Sequence, residues 1–244
     1  MKFKVITQID RINYFSDNFI KYYRTFFNTN EFRFMVHSVN SNKIREYLYS
    51  HGFTDNEMEE YSISEFGQGE NVGRQNEIKT RYLKEGYTVI YADMDERIFH
   101  PNLREMIINH PDQIIMPKGL VIVQDHNDQP IDKTKSVLEQ RNKCSINTYW
   151  FSKVCILKGK DFHWLPGRHT KPPGYVITPD LYLVDIGKSC MDIVIENNME
   201  TIKLYKSIFW RYKEMSKDRL KDEYKEFTSD LIEIPEIIKS LNLF

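Results

Sequence analysis

Two aspartates one residue apart, Asp93 and Asp95, follow directly on the apolar run Tyr-Thr-Val-Ile-Tyr-Ala at 87–92. Carboxylate oxygens are hard donors. A pair of them suits Mg²⁺ or Mn²⁺, which takes a few carboxylates and fills its remaining positions with phosphate oxygens and water. Side chains alternate along an extended segment, so residues 93 and 95 point the same way and can converge on one cation. The competing reading is a buried strand leaving the core into a polar turn. Arg74 is a second unusual residue. Near a helix start its charge opposes the macrodipole, which a phosphate or carboxylate partner would relieve and which a solvated guanidinium would simply tolerate.

The elements around the acids are legible from hydrophobic periodicity. Residues 2–8, 32–39, 59–64 and 87–94 read as strands. Residues 14–27, 41–52 and 69–86 carry helical spacing, the last two stopped by Gly52 and Gly86. Short apolar runs alternating with amphipathic helices imply parallel strands joined by crossover helices, a Rossmann-like α/β unit. In such sheets ligands bind beyond the carboxyl ends of the strands, where Asp93 and Asp95 would lie. After Pro101 the pattern changes. A short helix is expected at 103–110, strands at 113–117 and 119–125, and a strand-rich stretch at 146–159. A Pro/Gly/His loop at 161–175 then precedes a strand at 180–186. From about 189 onward the chain reads as a helical tail, with 215–227 a charged, solvated face.

The 244 residues form one domain on this reading, with 1–100, 101–188 and 189–244 as its successive parts. Hydrophobic residues at 41% and charged residues at 28% describe an ordinary globular chain. Its 34 basic and 35 acidic residues nearly cancel, which argues against a nucleic-acid partner. Three cysteines, Cys144, Cys155 and Cys190, lack metal-type spacing and read as reduced thiols. With no apolar run long enough to span a membrane, the expectation is a cytoplasmic protein.

The β-α-β-α-β-α-β succession followed by "VIYADMDERIFHP" resembles the GT-A glycosyltransferases. The likeness is greatest to family-2-like members with an Asp-x-Asp-Glu motif, matched here by Asp93, Met94, Asp95 and Glu96. The lead-in "GRQNEIKTRYLKEGYTVIYADMD" (73–95) is also similar, and the resemblance puts Arg74, Asn76 and Met94 against the nucleotide of the donor. The resemblance covers roughly 3–100 well and 145–205 loosely. It implies a GT-A fold with a mostly parallel central sheet, a nucleotide-sugar-binding half at 1–100 and an acceptor half at 101–188. It further implies a nucleoside diphosphate sugar donor, UDP-linked foremost, a glycan or other hydroxyl acceptor, and Mn²⁺ or Mg²⁺ as cofactor. Asp95 would then ligate the metal, and Asp93 the metal or the donor ribose. The end of the first strand, Thr7 and Gln8 to Asp10, would lie against base and ribose, although Asp10 and Arg11 also read as a turn pair. The third metal ligand would be His169 of the late loop, or else Asp185.

Such chemistry passes through an oxocarbenium-like state, and an inverting enzyme needs a carboxylate base for the acceptor hydroxyl. Asp180 and Asp161 are candidates by position alone, and a retaining enzyme would need neither. His163 reads as packing, and Trp164 as a half-buried ring or an acceptor platform. Two rivals stand beside the transferase. A sugar-1-phosphate nucleotidyltransferase usually carries a Gly-rich loop after strand one, where this chain has "TQIDRINYF" with no glycine. A non-enzymatic glycan-binding or scaffold protein would keep the fold without the chemistry, which the intact acid pair disfavours.

Overall fold

The structure is a computed structural model that describes residues 1–62, 68–124, 127–146, 152–165, 168, 171–187, 189 and 231–239. Four parallel strands form its nucleus in the order β3-β2-β1-β4: β1 is Lys2–Ile9, β2 Phe32–His37, β3 Met58–Tyr61 and β4 Tyr87–Tyr91. The crossovers are helices α1 (Tyr14–Arg24), α2 (Ser41–Ser50) and α3 (Gln68–Lys84). The sequence supports each boundary. Asn13 caps α1 by accepting from the Phe15 and Ser16 amides at 3.0 and 3.3 Å, while Ser16 Oγ accepts from the Asn13 amide. Gly86, at φ +80°, makes the left-handed turn from α3 into β4 that a side chain would resist.

The nuclear strands are apolar on both faces, and the two faces feed different cores. Val5, Phe34, Ile90 and Ala92 pack into one; Ile6, Met35, Val89 and Tyr91 pack into the other. A sheet covered on both sides is the reason these segments read as continuous apolar runs rather than as alternating ones.

Beyond β4 the sheet becomes mixed. β5 (Glu96–Phe99) follows at once, then α4 (Leu103–Asn109), β6 (Ile114–Ile122), β7 (Lys143–Ser145), β8 (Ile156–Lys158) and β9 (Ile177–Asp185). β8 pairs antiparallel with β4 and with β6, so β6 runs in the direction of β4; β9 pairs parallel with β6 and antiparallel with β5. The expectation of a mostly parallel sheet therefore holds for the N-terminal half, while the C-terminal half adds antiparallel neighbours. The two strands predicted at 113–117 and 119–125 are one strand, its register broken between Pro117 and Lys118. Pro117 lacks the amide that a regular ladder would use.

The helical tail predicted from 189 meets a strand: β10 (Leu231–Glu233) pairs with β7, and a short helix Glu236–Lys239 follows. The charged segment 215–227 and Cys190 lie outside the described residues. Cys144 and Cys155 are buried free thiols. Among the described residues no helix is long and apolar enough to cross a membrane.

Candidate active site

The strand that delivers the acids ends earlier than its sequence suggests. β4 stops at Tyr91, and residues 92–95 turn into β5, closed by the Glu96 amide donating to the Asp93 carbonyl at 2.9 Å. Asp93 and Asp95 therefore do not project in parallel from an extended segment. They diverge, because a reversal of the chain replaces the two-residue repeat of a strand. The buried Arg97 props this turn from inside, donating to the carbonyls of Met94 and Glu96 at 2.9 Å and of Phe15 at 3.1 Å. Met94, expected against the nucleotide, packs instead on the apolar core.

Asp93 faces two cations. Arg168 pairs with its carboxylate, and Lys153 Nζ lies 3.3 Å away while also pairing with Glu96. Both cations are almost fully buried. The Arg168 guanidinium also lies 4.0 Å from the centroid of the Tyr91 ring. Burial works to raise the Asp93 carboxyl, yet Arg168 and Lys153 together hold it below the ordinary carboxylate range. Glu96 is 3% exposed and closes the cluster by accepting from the Asp93 amide at 3.0 Å.

Asp95 faces another carboxylate. β5 and β9 pair with Glu96 opposite Asp185, and the Ile186 amide donates to the Asp95 carbonyl at 2.8 Å. The chain after β9 then passes between the two acids at Gly187. A Cβ there would collide with the Asp95 carboxylate and come within 3.1 Å of Asp185 Oδ1, which accepts from the Gly187 amide at 2.8 Å. Burial first, then the charges of Asp185, Asp93 and Glu96, push the Asp95 carboxyl up to about 8. Such an acid is short of positive charge.

A divalent ion would supply that charge. The donor set is all carboxylate oxygen, as Mg²⁺ and Mn²⁺ require, and the glycine leaves open the space between the two acids that a side chain would fill. Among the described residues no group of three or more Asp, Glu, His or Cys side chains could hold a metal unaided. Two protein carboxylates with substrate oxygens and water completing the shell is the ordinary Mg²⁺ arrangement. The residues fit Asp95 with Asp185; Asp93 is committed to Arg168 and Lys153. His169 lies outside the described residues.

The remaining predicted residues divide. Thr7 and Gln8 end β1, one strand over from Tyr91, in register Ile6 to Tyr91. The Thr7 hydroxyl is buried with no partner among the described residues, and Gln8 accepts from Gln75 at 3.2 Å. Asp10 forms the turn pair with Arg11 at 2.8 Å. Arg74 sits inside α3, about half exposed and paired with Glu77 at 2.6 Å, so it needs no phosphate. Asn76 is buried and clamps the backbone of Trp164, donating to its carbonyl at 2.8 Å and accepting from its amide at 2.9 Å. Trp164 is fully buried, neither half-buried nor a platform, and His163 is exposed.

Neither proposed base stands at the acids. Asp161 bonds Lys79 and Thr80 at 2.5 and 2.6 Å. Asp180 is exposed at φ +58° in an irregular part of β9, where Thr178 to Tyr182 face only Pro117 to Lys118; regular pairing resumes at Tyr182, three residues or roughly 10 Å before Asp185.

Sequence reasoning did not single out Lys153, Arg168 or Gly187 as site residues. Lys153 had a signal, since a lone cation in the apolar run "WFSKVCIL" must find a buried partner.

No family model and no curated protein matches the chain. Solved structures do. Staphylococcus aureus TarS aligns over 93% of this chain and 43% of its own, at 12% identity and TM-score 0.38. TarS 1–349 in complex with UDP-GlcNAc aligns over 93% and 72%, at 13% identity and TM-score 0.35. A putative glucose-1-phosphate thymidylyltransferase from Bacillus anthracis, in complex with a sucrose, aligns over 92% and 83%, at 11% identity and TM-score 0.37. The chain thus spans less than half the length of TarS. At such scores the site must be read from its own geometry.

Proposed function

We propose that the chain transfers a sugar from a nucleoside diphosphate sugar, UDP-linked foremost, to a glycan or other hydroxyl acceptor, with Mn²⁺ or Mg²⁺ as cofactor. The observation that carries this reading is Asp95 facing Asp185 across Gly187, in the turn beyond the carboxyl end of the central parallel strand β4. Asp95 and Asp185 would hold the metal, whose chemistry is to offset, as a Lewis acid, the charge a diphosphate gains on leaving.

The chain's own residues prepare the rest. Thr7 and Gln8 end the strand beside β4, where a ribose and base would lie, and the buried Thr7 hydroxyl has hydrogen-bonding capacity to spare. Arg168 keeps one guanidinium nitrogen, Nη1, without a partner among the described residues, and with Lys153 it supplies fixed positive charge next to the acids. Charges already oriented and desolvated need no reorganisation when the diphosphate leaves, which is where electrostatic catalysis gains most.

The test is a thermal-shift panel of UDP-, GDP- and CMP-sugars with and without Mn²⁺, followed by donor hydrolysis without acceptor. Metal-dependent stabilisation by a nucleotide sugar, with slow release of free sugar, is the expected result. Pyrophosphate release from a nucleoside triphosphate and a sugar 1-phosphate would instead mark a nucleotidyltransferase. Saccharide binding with no nucleotide effect would mark a non-enzymatic glycan binder.

A further inference from the structure

A hollow opens at the far end of the β6–β9 pair from the acids. β6 and β9 run side by side from Met116 opposite Ile177 to Val121 opposite Asp185. Residues at the start of that pair, with the loop before β9, line a hollow of about 420 Å³, within the size range of small-molecule sites. The regular partner β6 covers the same span in the five residues from Met116 to Val121, which puts this hollow roughly 17 Å from the acids.

Its lining combines two kinds of surface. Tyr175 is 44% exposed and Val176 73% exposed, side by side, and Asp112, Gln113 and Lys160 add polar groups. A single exposed apolar residue is ordinary; here an aromatic and an aliphatic side chain stand together beside a hollow edged by polar groups. The backbone that carries the ring is also held in place. Pro172 and Pro173 restrict the turn that carries it, Gly174 takes φ +66°, and the Tyr175 amide donates to the Pro172 carbonyl at 3.2 Å. Lys171 Nζ lies 5.0 Å from the ring centroid. A turn fixed before binding loses little backbone freedom on binding.

We infer that this hollow is a second saccharide site, which holds a neutral oligosaccharide remote from the acids. A sugar ring offers an apolar C–H face and a rim of hydroxyls that both donate and accept. Tyr175 and Val176 match the face. The Gln113 amide, itself donor and acceptor, and the Asp112 carboxylate match the rim. Among the lining side chains Asp112 and Lys160 carry opposite charges, and Lys171, on the Tyr175 ring, is not part of the lining, so the hollow itself favours a neutral polar ligand over a phosphate or an acidic chain. The inference does not use the acids and stands whether or not they transfer a sugar.

Saturation-transfer NMR on the full chain with cellohexaose, maltohexaose and chitohexaose tests it, beside Tyr175→Ala, Tyr175→Phe and Asp95→Asn. The expected result is binding of at least one hexasaccharide by the native chain. Tyr175→Ala should weaken that binding at least tenfold, Tyr175→Phe should change it by less than threefold, and Asp95→Asn should leave it unchanged. Tyr175 is half exposed on a turn, so circular dichroism should show both of its variants folded, and the same measurement checks Asp95→Asn. Binding equal in Tyr175→Ala and native protein would overturn the site, as would no binding to any of the three sugars. Binding lost in Asp95→Asn but kept in Tyr175→Ala would move the saccharide to the acids, overturning this inference and leaving the transferase reading intact.

Discussion

Arg168 pairs with Asp93 from a position over the ring of Tyr91, so one guanidinium ties the late loop to both the end of β4 and the turn that follows it. Arg168 holds this place with φ at +55°, a conformation that a non-glycine residue adopts only when its surroundings enforce it. The Arg168 amide donates to the Leu165 carbonyl at 2.8 Å, and its side chain adds the Asp93 carboxylate and the aromatic face. The pair therefore orders the chain around the acids before any substrate arrives.

Replacing Arg168 by Ala should cost stability as well as activity. The Arg168 side chain is 6% exposed and that of Asp93 is 38% exposed, so the pair falls between a buried and a surface ion pair, and its loss should cost about 1–3 kcal/mol. The urea midpoint of Arg168→Ala should fall accordingly. In an Asp93→Asn background the same substitution should cost clearly less. Additive losses in that double-mutant cycle would show that the two side chains do not support each other.

Asp95 makes the opposite prediction, a loss of function without a loss of stability. Its carboxyl is pushed up to about 8 by burial and by Asp185, Asp93 and Glu96, whereas in the unfolded chain it titrates near 3.8. The folded state therefore holds this proton more tightly, and its contribution to stability is full below about 4 and lost as pH rises through about 8. Asp95→Asn removes the titration, so without metal its stability at pH 9 should equal or exceed that of the native chain. Metal-dependent donor hydrolysis should fall two to three orders of magnitude, as loss of about 3–4 kcal/mol of transition-state stabilisation implies. Native turnover in Asp95→Asn would remove the metal role even if sugar transfer were real.

How much of this was readable beforehand follows from how local each signal is. The β3-β2-β1-β4 nucleus was legible because burial on both faces writes continuous apolar runs, and Gly52 and Gly86 punctuate them. The turn at 92–95 was not, because Ala92 and Met94 keep the strand's apolar alternation while the reversal is enforced from elsewhere, by Arg97 beneath and by the Asp95–Ile186 contact. Asp161 and Asp180 looked eligible as bases because their positions in the chain said nothing of Lys79 or of the irregularity in β9. Arg168 stands beside His169 in the sequence, yet its partner Asp93 is 75 residues away. Side chains whose role depends on such distant pairing leave little local trace.

Metal affinity should depend on pH through the same proton. A divalent ion at Asp95 and Asp185 must displace the proton that the folded apoprotein keeps on Asp95 up to about pH 8. Titration of Mn²⁺ by isothermal calorimetry should show affinity rising about tenfold per pH unit between roughly 6 and 8, then levelling. One proton should be released per ion at pH 6.5 and almost none at pH 9. In Asp95→Asn the residual affinity should be flat across this range. A flat profile in the native chain would place the ion elsewhere.

Gly187→Ala is the most economical probe of the site, because it adds one methyl group and no charge. That methyl would collide with the Asp95 carboxylate and crowd Asp185 Oδ1 at 3.1 Å. The Ile186 amide fixes the Asp95 backbone and the Gly187 amide holds the Asp185 carboxylate, so the methyl can be accommodated only by swinging the Asp95 carboxylate away from Asp185. Overpacking of this kind typically costs about 1–3 kcal/mol, read as a lowered urea midpoint. Mn²⁺ affinity should fall at least tenfold, and metal-dependent hydrolysis should fall with it, while Asp93, Arg168 and Lys153 keep their pairing. Donor binding measured without metal should then be little changed. If Gly187→Ala binds Mn²⁺ as the native chain does, Asp95 and Asp185 do not share the ion.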